Sequence, residues 1–240
     1  MRTAVVWSVL RDALAALTAE RGIDALDVVD AGGGTGGFAV PLAALGHRVT
    51  LVDPSPDSLA ALERRAAEAG LTGAIRAVQG DIGDLDSLVS ADSADLVLCH
   101  SVLEVVDDPA AALGAVARIL RPGGRASVLA AGASAAVIAR ALAGRFDEAA
   151  HALDDPDGRL GANDSVARRF TEANLVTAMG AAGLRVDAVH GIRVFSDLVP
   201  GALFDDPAAG EALLRLEAAV ADRPEFRPLA MQLHVLAVRP

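Results

Sequence analysis

Short apolar runs of the chain alternate with longer segments in which apolar residues recur at helical spacing. This alternation favours parallel βαβ units, with helices covering both faces of one sheet. One predicted helix runs from Ser58 to Ala69 and stops at Gly70, and another runs from Pro109 to Leu120, before the turn residues "RPGG". The predicted strands, in chain order, are Leu26 to Ala31, Arg48 to Val52, Ala74 to Val78, Ala94 to Cys99 and Arg125 to Ala131.

The rhythm changes after the fifth predicted strand. Residues 133–170 carry helical patterns and form too long a segment for an ordinary connection, so they are predicted to be a lid-like insertion over the ligand edge of the sheet. A helix from Thr171 to Ala182 follows. Two further strand patterns, "LRVDAVHGIRVF" and "LAMQLHVLAVRP", predict an antiparallel pair that closes one sheet edge.

The predicted fold is therefore α/β. It is a doubly wound, mostly parallel, seven-stranded sheet with an antiparallel edge strand and a helical insertion after the fifth strand, in a single domain over residues 1–240. Composition adds that the core is aliphatic, since apolar residues make up 52% of the chain and aromatic residues only 3%.

Charge and cysteine content narrow the function classes. The net charge of −11 disfavours a broad electrostatic grip on nucleic acid, although a local basic pocket stays compatible with it. Cys99 is the only cysteine, which excludes an internal disulfide and multi-cysteine zinc sites, and the scattered histidines predict no metal site. The start of the chain does not resemble a signal peptide, and Arg140 breaks the most apolar run. These features predict a cytoplasmic protein with no membrane partner.

The stretch "VVDAGGGTGG" places Asp30 at the end of a strand and three glycines, Gly32, Gly34 and Gly36, directly after it. Glycines there let the backbone pass close to a bulky ligand, and the next helix offers its amide end to a negative group. Gly37 also completes a G-x-G-x-x-G dinucleotide pattern. These residues alone therefore fit both NAD and S-adenosylmethionine (SAM).

Asp53, at the end of the second predicted strand, is positioned to accept two hydrogen bonds from a ribose. The alternative is that Asp53 caps the following helix. Ser55 and Asp57 lie nearer to the start of that helix, which favours the ribose role.

Four motifs in order distinguish the two cofactors. The D-x-G-x-G-x-G turn, "QGDIGDL", "ADLVLCHSVLEVVDDP" and "LRPGGRASVL" together resemble the class I SAM-dependent methyltransferases, which have a Rossmann-like fold. The resemblance implies that Asp30 anchors the methionine end of SAM beside the glycine turn. By the same resemblance Asp53 and Pro54 bind the ribose, and Asp81 and Ile82 contact the adenine.

A narrower resemblance covers nearly the whole chain. Segments outside the shared core, such as "LAGRFDEA", "GIRVFSDL", "LLRLEAAVADRPEFRPLA" and "QLHVLAVRP", are similar to the methyltransferases that esterify 5-carboxymethoxyuridine in tRNA. This family implies that Arg2 holds the SAM carboxylate and that tRNA is the acceptor. The insertion has few basic residues, among them Arg145, Arg159, Arg168 and Arg169, and stacking on a base would fall to Phe146, Phe170, Phe195, Phe204 or histidines, since tyrosine is absent.

An acceptor carboxylate is ionised near pH 7 and needs no general base, so its charge calls for an orienting partner. Arg193 is the candidate, with an exposed strand arginine in a surface ion pair as the alternative. His100, at the end of the fourth strand, could orient acceptor or SAM, or be a packed histidine bonded to backbone. Glu104 is interpreted as a helix-surface carboxylate, with a position facing the acceptor as the alternative, and Cys99 is interpreted as buried filler.

Several functions stay open at this point. The first is a SAM-dependent methyltransferase acting on a carboxylate of tRNA. The second is a SAM-dependent methyltransferase of a small carboxylate or hydroxyl compound. An NAD-dependent oxidoreductase and a SAM-binding module without catalysis are the others.

Overall fold

The computed structural model describes residues 3–162, 164–201 and 206–240. Seven strands form one sheet in the order β3-β2-β1-β4-β5-β7-β6. Neighbouring strands from β3 to β5 pair in parallel, whereas β7 pairs antiparallel with both β5 and β6. The strands are β1 (Asp27–Ala31), β2 (Arg48–Asp53), β3 (Ile75–Gln79), β4 (Ala94–His100), β5 (Leu120–Ala131), β6 (Arg185–Ile192) and β7 (Gln232–Val238).

Helices cover both faces of this sheet, as the alternating pattern predicts. Helices α1, α2 and α3 pack on one face, and α4, α5 and α8 pack on the other. The buried residues are mainly Ala, Val and Leu, which confirms the aliphatic core. The helices are α1 (Ala4–Arg21), α2 (Ala39–Ala44), α3 (Pro56–Glu68), α4 (Leu85–Leu88), α5 (Pro109–Ile119), α6 (Ala133–Leu142), α7 (Phe146–Asp154), α8 (Glu172–Ala181) and α9 (Pro207–Val220).

The predicted antiparallel pair closes the sheet, with β6 outermost and β7 inside it. The prediction for β5 was too short at its start. This strand begins at Leu120, which pairs with Ala94, and the next paired residue is Arg125, so residues 121–124 form a bulge rather than a separate turn. Helix α1 was not predicted, and it covers the sheet with a row of buried aliphatic side chains.

The segment after β5 leaves the sheet and returns to it. Helices α6 and α7 pack on each other, and the chain comes back at Phe170, whose backbone N–H donates to Ala131 O at 2.8 Å. Residues 133–169 are therefore inserted between the end of β5 and the start of α8. In the described part of the chain, no helix combines the length and the apolar character that crossing a bilayer requires.

Candidate functional site

A cavity of about 650 Å³ opens at the carboxyl ends of β1, β2, β3 and β4. Ligands of open α/β sheets bind at this edge, where the strand order reverses beside β1, and the volume is in the ordinary range for small-molecule sites. Five predicted cofactor residues line it: Gly32, Asp53, Pro54, Asp81 and Ile82.

The glycine turn after β1 depends on three left-handed residues. Gly32, Gly34 and Gly36 have φ of 73°, 55° and 81°. A Cβ on Gly36 would lie 2.3 Å from Cδ1 of Leu62, whereas a Cβ on Gly37 would have no neighbour within 4 Å. The structural requirement for glycine therefore follows the D-x-G-x-G-x-G spacing and not the dinucleotide spacing that ends at Gly37.

Asp53 ties the glycine turn to the start of α3. Its Oδ2 accepts a hydrogen bond from Gly34 N and its Oδ1 accepts one from Ser55 N, both at 2.9 Å. Ser55 itself caps α3, because its hydroxyl accepts from Ser58 N at 3.2 Å. Each carboxylate oxygen of Asp53 keeps a further lone pair, so the residue can still accept hydroxyl groups from the cavity.

Asp30 lies beneath the glycine turn and not in the cavity wall. Its side chain is buried against the backbone of Gly33, and Oδ2 has no hydrogen-bond partner among the described residues. Burial is the main cause that raises the pKa of Asp30 to about 7. A hydrogen bond from the Ala39 backbone opposes this rise, and the nearby Asp53 carboxylate contributes to it.

The far side of the cavity comes from the segment after β3. Asp81 begins a 3-10 turn over Ile82–Asp84 and accepts a hydrogen bond from Gly83 N at 2.9 Å. Ile82 is buried in the core, and its neighbours in the turn are exposed. This arrangement presents a carboxylate and backbone amides beside an apolar surface, as an adenine requires.

The segment after β4 contributes cavity residues that the sequence did not single out. Ser101 has a φ of 57°, which is rare for a residue with a side chain and typical of functional sites. Val102 contacts the open face of Gly32, since a Cβ there would lie 2.3 Å from Val102 Cγ2. The motif "CHSVLEVVDDP" gave the position of this segment but not which side chains face the ligand. The other lining residues here are Val105, Val106, Asp107, Asp108, Ala111 and Ala112.

His100 lies at the same edge, next to the cavity wall at Ser101. Its Nε2 hydrogen-bonds to the Ser127 hydroxyl at 2.8 Å, so the alternative of a bond to backbone is wrong. Its ring stands edge-on to Phe38 with a centroid distance of 4.6 Å, and Trp7 stacks on Phe38 at 5.0 Å. Burial lowers the pKa of His100 to about 3, which keeps the imidazole neutral.

Arg193 directly follows β6, at the same edge as the cavity but outside its wall. Its backbone is left-handed, with a φ of 61°, and its guanidinium pairs with Asp197. The Nε atom is buried and has no hydrogen-bond partner among the described residues. β6 is separated from β4 by β5 and β7, which corresponds to roughly 14 Å along the edge at about 4.8 Å per strand.

The loop that carries Arg193 is held by the buried carboxylate of Glu217, on α9. This carboxylate accepts hydrogen bonds from the backbone N–H groups of Val194, Phe195 and Ser196 at 2.8 to 3.0 Å, and from the Ser196 hydroxyl at 2.6 Å. A single side chain thus fixes the direction of the chain after β6. No local pattern in the sequence indicates this role for Glu217.

The arginines of the insertion do not form a free basic rim. Arg145 pairs with Glu148, Arg159 pairs with Asp155, and Arg169 forms a nearly buried pair with Asp164. Arg168 donates to the backbone carbonyls of residues 103, 106 and 107, which attaches the insertion to the segment after β4.

The structure contradicts the interpretation of Glu104 and agrees with that of Cys99. Glu104 is not a helix-surface carboxylate, because it is buried and its Oε1 accepts from Ala131 N at 2.9 Å. Burial raises its pKa. Cys99 is buried in β4, and burial raises the pKa of its thiol, so it is inert filler as expected.

The candidate stacking residues are dispersed. Phe146 is exposed on α7, Phe170 is buried in the core, and Phe195 packs edge-on against Phe226 at 6.0 Å. Phe170 is therefore not available to a base. Arg2 and Phe204 lie outside the described residues. Within the described ranges no group of three or more His, Cys, Asp or Glu side chains could hold a metal ion.

The sequence matches a methyltransferase family model and known methyltransferases. A family model described as a methyltransferase domain matches residues 29–128. The tRNA 5-carboxymethoxyuridine methyltransferase of Escherichia coli (strain K12) is 30% identical over 240 residues, which cover 100% of this chain and 88% of that protein. The ubiquinone biosynthesis O-methyltransferase of Methylocella silvestris is 36% identical over 111 residues, or 44% of this chain and 40% of that protein.

Solved structures match the fold. The crystal structure of an S-adenosylmethionine-dependent methyltransferase from Mesorhizobium loti superposes with a TM-score of 0.63 at 24% identity, over 95% of this chain and 96% of that chain. At this identity the likeness shows the fold alone.

Proposed function

Because the chain belongs to the class I SAM-dependent methyltransferases, in the family of the tRNA 5-carboxymethoxyuridine methyltransferase, we propose that it esterifies the carboxylate of that nucleoside in tRNA. The predicted family, the predicted α/β fold and SAM as cofactor are confirmed, and the NAD-dependent alternative is wrong. The acceptor is the proposed part. The proposal includes a cytoplasmic location, where Cys99 stays a free thiol.

The residues of the cavity fit SAM. Asp53 has free lone pairs for the ribose hydroxyls, and Asp81 with Ile82 offers a polar and an apolar contact for the adenine. The left-handed glycines keep side chains away from the ligand, and the Asp30 carboxyl lies buried beneath the turn. When bound, SAM supplies a methyl group on a positively charged sulfur, which makes that carbon electrophilic. The protein has mainly to align acceptor and donor.

The observation that carries the acceptor class is the position of Arg193. It follows β6 at the ligand edge, and the loop that holds it is fixed by the buried Glu217 carboxylate. A guanidinium binds a carboxylate by two parallel hydrogen bonds, so Arg193 would exchange Asp197 for the acceptor. An ionised carboxylate then attacks without a general base.

The insertion over residues 133–170 is proposed to act as a lid over the acceptor. Arg168 joins this segment to the backbone after β4, beside the cavity wall. Phe146 and Leu153 expose large apolar surfaces on α7, which would suit contact with a nucleobase.

Mass spectrometry of total tRNA nucleosides tests the proposal. We expect the methyl ester of 5-carboxymethoxyuridine to disappear when the gene is deleted and to return with the wild-type gene. The Arg193→Ala gene should not restore it, whereas the gene with the matched surface change Arg223→Ala should. An unchanged nucleoside profile after deletion would show that tRNA is not the acceptor.

A small-molecule carboxylate is the second candidate, because the described arginines of the insertion are engaged with acids or backbone carbonyls and the net charge is −11. Nuclease treatment separates the two candidates. Transfer of labelled methyl groups from SAM into a cell extract should be lost after ribonuclease treatment if tRNA is the acceptor, and should persist if the acceptor is a small molecule.

A further inference from the structure

A row of hydrogen-bonded side chains crosses the sheet from the ligand edge to the surface. It starts at His100 on β4, and its last link joins His190 Nε2 to the exposed Asp222 Oδ1 at 3.2 Å. Two of the intervening distances are 2.8 Å and the third is 3.2 Å. We call His100, Ser127, His234, His190 and Asp222, in this order, the histidine row.

Each link uses a different strand or loop. Ser127 lies on β5, His234 on β7 and His190 on β6, and all three are buried. Asp222 follows α9 and borders a second cavity, of about 560 Å³, between α1, α9 and the sheet. The row therefore connects the ligand edge with a separate opening on the protein surface.

The chemistry of the last link sets the direction of every hydrogen bond. An ionised carboxylate only accepts, so His190 Nε2 donates to Asp222. A neutral imidazole carries one proton, so His190 Nδ1 accepts from His234 Nδ1, and His234 Nε2 must accept in turn. The Ser127 hydroxyl then donates to His234 and accepts from His100 Nε2.

This direction leaves His100 Nδ1 with a bare lone pair. The atom is buried and has no hydrogen-bond partner among the described residues, which is costly unless a bound molecule brings a donor. Burial lowers the pKa values of His100 and His234, so neither ring keeps an added proton. A proton that enters at His100 must move along the row.

The charged groups at the outer end suit proton release. Burial lowers the pKa of His190, the Asp222 carboxylate raises it and the Arg227 guanidinium lowers it. Arg11, Asp12 and Arg125 line the cavity there. At the inner end His100 meets the ring of Phe38. His234 faces the other two histidines of the row.

We propose that His100 is a general base and that the histidine row carries the proton it accepts to the surface. This lets the site methylate a hydroxyl acceptor in addition to a carboxylate. The hydroxyl oxygen bonds to the methyl carbon as the carbon–sulfur bond of the donor breaks. The hydroxyl proton passes to His100 Nδ1. The protons of the row each shift one place, and one proton leaves to solvent at Asp222. A carboxylate has no proton to lose, so its methylation does not need this path.

Nitrogen-15 NMR of the histidine rings tests the row without any acceptor. We expect His100 and His190 to be protonated on Nε2 and His234 on Nδ1. Asp222→Ala should abolish this preference, because the carboxylate sets the direction. Glu225→Ala removes an exposed acid of the same loop and should leave the pattern unchanged. A proton on His100 Nδ1 in the wild type, or an unchanged pattern in Asp222→Ala, would overturn the proposal.

A matched pair of acceptors tests the activity, and its design rests on the proposed function. The two acceptors are tRNA anticodon stem–loops that carry 5-carboxymethoxyuridine or 5-hydroxyuridine. We expect both to be methylated. Ser127→Ala, and the surface variant Asp222→Ala in case the first does not fold, should lower the hydroxyl rate relative to the carboxylate rate by about 10²-fold or more.

Each result decides a different question. Methylation of the carboxylate loop alone overturns the hydroxyl activity and leaves the proposed function standing. Methylation of the hydroxyl loop alone overturns the proposed function and leaves the hydroxyl activity standing. Equal loss of both rates in the variants would mean that the row is structural, and methylation of neither loop would contradict both proposals.

Discussion

At the scale of single residues, Asp53 joins the glycine turn to the start of α3 beside the ligand cavity. Asp53→Ala should weaken SAM binding by about 2–3 kcal/mol, or roughly 30- to 150-fold, because two charge-assisted contacts to the ribose and the fixed position of Gly34 N are lost together. Titration calorimetry with SAM measures this. Asp57→Ala, an exposed acid of α3, is the matched control, and undiminished affinity in Asp53→Ala would refute the ribose role.

Arg193 should show the opposite division of effects. Arg193→Ala should lower turnover by about 10²-fold or more and leave SAM affinity nearly intact, because its proposed contact is with the acceptor alone. Steady-state methylation and calorimetry on one preparation measure both quantities. The exposed Arg223→Ala serves as control. Loss of SAM binding in Arg193→Ala, or unchanged turnover, would remove the residue from the acceptor site.

Asp30 makes stability depend on pH. Its pKa is about 7 in the folded chain, above the ordinary value of about 3.9, so folding takes up a proton between these values. The stabilisation is present below the unfolded pKa and is lost as pH rises through the folded one. The stability gain of Asp30→Asn over wild type should therefore grow by about 2–3 kcal/mol from pH 5 to pH 8. Urea unfolding at both pH values measures it, and parallel curves would show that Asp30 is already ionised at pH 5.

At the scale of elements, the glycine turn between β1 and α2 is the most constrained connection of the site. Gly36→Ala should cost about 1–2 kcal/mol from its left-handed backbone and displace Leu62, whose Cδ1 would lie 2.3 Å from the new Cβ. Gly37→Ala meets no atom within 4 Å and should change stability by less than about 0.5 kcal/mol. Thermal unfolding of the pair checks this, and equal losses would mean that the turn differs from the one described.

At the scale of the whole molecule, Asp95 joins four elements near the other end of the strands. Its carboxylate accepts from Asp27 N at 2.8 Å and pairs with Arg21 at 3.0 Å and Arg121 at 2.8 Å. Asp95→Asn should destabilise the protein by about 2–3 kcal/mol, somewhat less than a fully buried network, because both arginines keep some exposure. Urea unfolding should show one cooperative transition.

A matched change isolates the network effect. Asp86 pairs with Arg118 on the surface, at 2.8 Å. Asp86→Asn should cost less than about 1 kcal/mol, because exposed ion pairs are screened by water. If the two substitutions cost the same, the buried position of Asp95 adds nothing to the stability of the fold.

The sequence by itself determined the fold class and the cofactor. The run from Leu96 to Cys99 is apolar at every position, as expected for a strand buried on both faces, and Gly32, Gly34 and Gly36 are spaced for a turn with left-handed residues. These features depend only on residues that are neighbours along the chain, so the sequence shows them directly. The four ordered motifs then distinguished SAM from NAD.

Tertiary structure decided how distant side chains meet. The partners of His100 lie 27 to 134 residues further on, and Glu217 reaches the Arg193 loop from another helix. Nothing in the local pattern around Ser127, Glu104 or His234 distinguishes a buried polar contact from filler. Burial and hydrogen-bond direction follow from the packing of strands that are adjacent in space and distant in sequence, so only the folded chain shows the histidine row, the buried Glu104 and the engaged arginines of the insertion.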